Sequence, residues 1–173
     1  MGAIALTLPM ALGILVGCGV TGTENSDDIP SSGVSTSSDA AENAKKTSSE
    51  LYDPIGLKGK ASDNGPGVTE CGKKEPDKYF HIFHSWSFNP TSSEQLEGAM
   101  EQLKSDLPGR GWEVVVHGPD SSRNKNLSLT ADSDTKKFGV DVTSQATDNP
   151  PNLNFFVVSG CYQLPDGRKI EQF

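Results

Sequence analysis

The chain has 173 residues, 34% of them hydrophobic, and a formal net charge of -8 at pH 7. Its basic residues cluster only as pairs, Lys45-Lys46 in the Ser/Thr-rich stretch and Lys73-Lys74, Lys136-Lys137 and Arg168-Lys169 beyond it, so it lacks the basic face that phosphate backbones require, and nucleic-acid binding is not expected. No internal repeat is visible, and the part of the chain with ordinary globular composition has the size of one domain.

Residues 1–17 are uncharged and apolar but shorter than the roughly 20 residues a membrane span takes, and Pro9, Gly13 and Gly17 interrupt them. They read as an export signal. The segment closes on Leu15-Val16-Gly17-Cys18, which resembles the lipobox of bacterial lipoproteins, where a small residue precedes a cysteine that is lipidated and becomes the mature N-terminus. Such signals usually open with Lys or Arg, whereas none precedes Lys45 here, the pattern of a chain whose true start lies upstream of Met1. The resemblance implies that Cys18 is acylated and that the protein is anchored by lipid at the extracytoplasmic face of the cell membrane. With Cys18 taken by lipid, Cys71 and Cys161 remain as one pair, expected to be bridged in an oxidising compartment; two buried thiols are the alternative. In the chain-entropy model a loop of about 90 residues contributes roughly 4 to 5 kcal/mol. Zinc is not expected, because no CxxC spacing exists.

Residues 18–50 are rich in Ser, Thr and acids with almost no large apolar side chain, so they are expected to form a disordered tether. A single extracytoplasmic domain follows over residues 51–173, with a regular core at about 76–163. Its lead-in, with Leu51, Tyr52, Ile55, Leu57 and Val68 among Gly and Pro, has neither helical nor strand periodicity. From Tyr79 the chain alternates: Phe80, Ile82, His84, Trp86 and Phe88 share one parity and Tyr79, His81 and Phe83 the other, which predicts a strand. Thr91 or Ser92, each with Glu or Gln three residues on, offers a capping box. Leu96, Ala99, Met100, Leu103 and Leu107 then form the stripe of an amphipathic helix, stopped by Pro108 and Gly109. Strands are predicted at 112–116, apolar enough to be central, and at 127–131, 138–143 and 153–161. The expected fold is a two-layer α+β domain, one helix on a mainly antiparallel sheet of four to five strands in the order β-α-β-β-β-β, with a right-handed crossover through the helix.

Few residues advertise chemistry. His81 and His84 lie three apart on a strand and so point to opposite faces, which rules them out as a joint metal pair. No GxSxG elbow or Gly-rich phosphate loop occurs, Asp132 and Asp134 fit a turn better than a calcium loop, and no cofactor or metal is expected. An envelope hydrolase, the competing class, would draw on His81, His117 and Asp120. The feature that stands out is the strand face with Tyr79, His81 and Phe83, to which the last strand adds Phe156, Val158 and Tyr162, or Leu153, Phe155 and Val157 on the reverse parity. Such a face is either covered by Leu51, Tyr52, Ile55 and Leu57 or bound by a partner.

Lipobox, Ser/Thr-rich tether and a small domain with a cysteine near each end together resemble uncharacterised envelope lipoproteins of high-GC Gram-positive bacteria, and 103–112 and Ser159-Gly160-Cys161-Tyr162 look similar to such proteins. The function expected is a non-catalytic binding or accessory module of the envelope, with a protein or glycan partner, or else a purely structural surface lipoprotein.

Overall fold

The computed structural model describes residues 31–72 and 75–173. In chain order the elements are β1 (Ser31–Val34), α1 (Ser37–Tyr52), β2 (Gly59–Ala61), β3 (Gly67–Glu70), β4 (Tyr79–Pro90), α2 (Leu96–Asp106), β5 (Glu113–Pro119), β6 (Leu127–Ser133), β7 (Phe138–Gln145), β8 (Asn152–Ser159) and β9 (Cys161–Gln163). They build a nine-stranded mixed sheet curled into a half-barrel with both helices packed against it, which replaces the expected four- or five-stranded sheet under one helix.

The extra strands come from segments read as irregular. β4 is paired along both sides: β2 and β3 lie on one, β8 and β9 on the other, all antiparallel to it. β2 and β3 escape sequence reading because they are only three and four residues long and each begins on a glycine. A Cβ at Gly59 would collide with the Phe88 ring and one at Gly67 with the Phe83 ring, so two aromatic side chains fill the space that the glycines leave. β1 runs parallel to β9 and makes the sheet mixed.

The larger correction concerns residues 31–50, which are not a tether. α1 is capped by Thr36, whose hydroxyl oxygen accepts from the Asp39 N–H at 3.1 Å, and it buries Ser37, Ala40, Ala41, Ala44, Thr47, Ser48 and Leu51. That is a helical stripe of small side chains, and small side chains let a helix axis come close to a sheet. α1 packs on β4 and β8, and α2 beside it on β6 and β7. The α2 stripe of Leu96, Ala99, Met100, Leu103 and Leu107 is buried, as its spacing predicts. Its entry differs: Ser92 starts a 3-10 turn, Ser93–Gln95, with no side-chain cap bond.

Beyond α2 the strands form a meander, β5-β6-β7-β8, each antiparallel to the next. β4 and β5 therefore run parallel but with β8, β7 and β6 between them, so the helix crosses most of the sheet. β5 is an edge strand and not a central one, with Val115 50% and Val116 52% exposed beside a bulge between Val114 and Val116.

Candidate functional site

Alternation along β4 sends Phe80, Ile82, Trp86 and Phe88 into the core under the helices and leaves Tyr79, His81 and Phe83 half-buried on the outer face. β8 continues the two sets through its register. Ser85 pairs with Phe156 and Phe83 with Val158 on the outer side, while Leu153, Phe155 and Val157 are buried in the core. Tyr162 does not follow Phe156 outward. Gly160 interrupts the strand between β8 and β9, and Tyr162 turns inward to stack on Phe80 at 5.7 Å and to accept from the Asn43 amide at 3.3 Å.

The outer face is narrower than its sequence suggests. The His81 Nδ1–H donates to the Ser159 carbonyl at 2.9 Å, and Phe83 lies beside Gly67 of β3. What is presented to solvent is Phe156, 42% exposed and stacked on Phe83 at 6.0 Å. The expected cover is on the other side of the sheet: Leu51 and Ile55 belong to the core, Leu57 packs against it, and the Tyr52 ring approaches Trp86 and Phe88.

The residues that a hydrolase would draw on are dispersed. His81 on β4 and His117 on β5 are four strand steps apart, about 19 Å along the sheet. His117 Nε2 stands 3.5 Å from the Glu101 carboxylate of α2, too long for a good hydrogen bond. Asp120 lies in the exposed turn after β5, where the Ser122 hydroxyl and then the Ser122 and Asn126 backbone N–H groups hold its carboxyl below the usual range despite some desolvation. Among the described residues no three His, Cys, Asp or Glu side chains could hold a metal ion. Cys71 and Cys161 are both buried and joined in a disulfide, with Cα atoms 6.0 Å apart, so the bridge ties the end of β3 to the start of β9. Cys18 and the expected export signal over residues 1–17 lie outside the described residues. No helix among the described residues is long and apolar enough to cross a membrane.

On the helix side, sequence reading missed a groove of about 490 Å³ between α1 and residues 61–64. His84 frames it: one ring nitrogen meets the Ser48 hydroxyl of α1 at 2.8 Å and the other donates to the Asn64 carbonyl at 2.7 Å. The Asn64 carbonyl can only accept, so Nε2 carries a proton, while the Ser48 hydroxyl can pair with Nδ1 as donor or as acceptor. Trp86 and Tyr52 also line the groove. The Trp86 indole is 5% exposed and lies flat on Phe155, ring centres 4.0 Å apart, yet its buried N–H has no acceptor among the described residues. Leaving such a donor unmatched costs about 1 to 3 kcal/mol, so native structures keep few of them. The sequence signal for this groove was the Thr36-x-x-Asp39 cap followed by small residues at helical spacing, which lies in the stretch read as a tether. No protein-family model, no curated protein and no solved structure matches the chain.

Proposed function

We propose that this chain is a lipid-anchored module on the extracytoplasmic face of a bacterial cell membrane, and that it binds an envelope protein instead of catalysing a reaction. The observation that carries the reading is the Cys71–Cys161 bond. Disulfides persist in oxidising compartments, and this one uses two of the three cysteines, leaving Cys18 directly after Leu15-Val16-Gly17 as the remaining thiol. Because β1 begins at Ser31, the connection from Cys18 is short, at most about 45 Å for its 13 residues if fully extended. The contact surface in this reading is the outer face of β4 and β8 with Tyr79, His81, Phe83 and the exposed Phe156, since aromatic side chains are enriched where proteins bind one another. A hydrolase gains no support from His81, His117 and Asp120, which do not converge.

Acyl chains contribute about 0.8 kcal/mol per buried CH₂, so two or more hold a domain on a membrane. Cys18→Ala is expected to abolish incorporation of labelled palmitate, whereas wild-type protein without label would reject the anchor. For the surface, crosslinking in the native envelope is repeated with folded Phe83→Ala and Phe156→Ser variants. Loss of the crosslinked partners is the expected result; unchanged partners would remove this face as the binding site.

A further inference from the structure

We infer that the groove between α1 and residues 61–64 binds a neutral sugar, which stacks on Tyr52 and accepts the Trp86 indole N–H. This goes beyond the reading above, because the groove opens on the helix side of the sheet and the proposed protein contact lies on the other.

The frame of the groove is already satisfied. Ser62 and Ser87 exchange two hydrogen bonds, Asn64 donates its amide to the Ser85 carbonyl, and His84 has a partner at each nitrogen. These bonds fix residues 61–64 on β4 and use the groups that make them. The groups without such partners are of both kinds. Trp86 has an unmatched donor. Among the described residues, Lys45 offers an ammonium with no carboxylate within 4.0 Å, and Asp53 and Asp63 offer carboxylates with no ion pair. Tyr52, on the last turn of α1, adds a ring that is 38% exposed.

This set selects a ligand by chemistry. An anion would answer Lys45 and the indole but face two carboxylates. An organic cation would suit the carboxylates and leave both donors unanswered. A sugar hydroxyl accepts from an N–H and donates to a carboxylate, and the C–H face of a pyranose lies well on an aromatic ring. The volume, about 490 Å³, falls within the range of small-molecule sites and suits one or two sugar units. The Trp86 nitrogen is closed to solvent in this structure, so the proposal requires the neighbouring Tyr52 ring, whose centre lies 6.2 Å from that of Trp86, to turn aside when the sugar binds. Stacking on Phe155 keeps the indole plane fixed while that happens.

The test follows the indole proton of Trp86 by NMR in the full-length protein, labelled with ¹⁵N-tryptophan and held in a detergent without a sugar headgroup. Trp112 serves as an internal control, being buried away from the groove. The probes are maltotriose and triacetylchitotriose, with inorganic phosphate and spermidine for the two charged classes. The expected result is a saturable downfield movement of the Trp86 signal with at least one of the two sugars, none at Trp112, and binding weakened about tenfold by Tyr52→Ala, equivalent to 1.4 kcal/mol. Should Tyr52→Ala displace the Trp112 signal and so be misfolded, the exposed Asp63→Ala takes its place with the same expectation. A Trp86 signal unmoved by both sugars up to about 10 mM, where even a 1 mM site is filled, would overturn the proposal. So would movement with phosphate or spermidine alone, or a folded variant that binds sugar as the wild type does. The envelope crosslinking reads Phe83 and Phe156 on the other face, so either result can fail without the other.

Discussion

Leu103 is fully buried midway along α2, between Met100 and Leu107 of the same stripe. Truncating it removes packed methyl groups from beneath a helix that rests on two strands, and part of the cavity stays open because the sheet cannot collapse onto it. Leu103→Ala is expected to lower the unfolding free energy by about 2 to 5 kcal/mol in denaturant titration. A loss under about 0.5 kcal/mol would be that of a surface site and would contradict the helix-on-sheet packing. At this scale the sequence was most legible. The parity of Phe80, Ile82, Trp86 and Phe88, and the opposed directions of His81 and His84, follow from backbone geometry and hold in the structure. Parity failed at Tyr162, because a break at Gly160 shifts the phase of every residue after it, and no periodic pattern announces such a break. The Trp86 site was illegible for another reason: its residues lie in three separate segments, and an unmatched donor becomes visible only once its neighbours are in place.

The elements that sequence reading found are those with large side chains at regular spacing, namely β4, α2 and the strands of the meander. α1 was missed because the stripe it buries consists of Ala, Ser and Thr with one leucine, a composition that also suits a solvated linker. What decides between the two is the partner: small side chains bury little apolar area each, but against the broad aromatic floor of β4 they allow close approach. The consequence is testable by size. Ala44, fully buried, faces the sheet, whereas Lys46, two residues on, is exposed. Ala44→Leu is expected to destabilise by about 1 to 3 kcal/mol through overpacking, and Lys46→Leu to change stability by less than about 0.5 kcal/mol. Equal, small effects on the melting curve would mean that residues 37–52 do not pack. β2 and β3 were missed because glycine argues against a strand in every propensity scale, yet here Gly59 and Gly67 are what admits the rings of Phe88 and Phe83.

Across the whole molecule, the Cys71–Cys161 bond spans 90 residues and encloses α2 together with five of the strands from β4 onward. Opening it restores chain entropy to the unfolded state, about 4 to 5 kcal/mol at most, and leaves the native contacts of β3 and β9 in place. Cys161→Ser is accordingly expected to lower the thermal midpoint markedly, with reductant producing the same drop in the wild type and none in the variant. A variant that melts with the reduced and oxidised wild type at one temperature would show that the loop is held by its packing alone. The pairing of β1 with β9 has a further consequence, for the order of events as the chain is made. Ser31 and Cys161 are sheet neighbours, so β1, the first strand among the described residues, has no partner in the sheet until β9 has followed it. β4 likewise waits for β8 and β9 along one whole side, since β2 and β3 can occupy only the other. Contacts this distant in sequence close slowly. Until they close, one hydrogen-bonding edge of β4 is open beside its aromatic core face, which makes the nascent domain most prone to aggregation before β8 and β9 arrive.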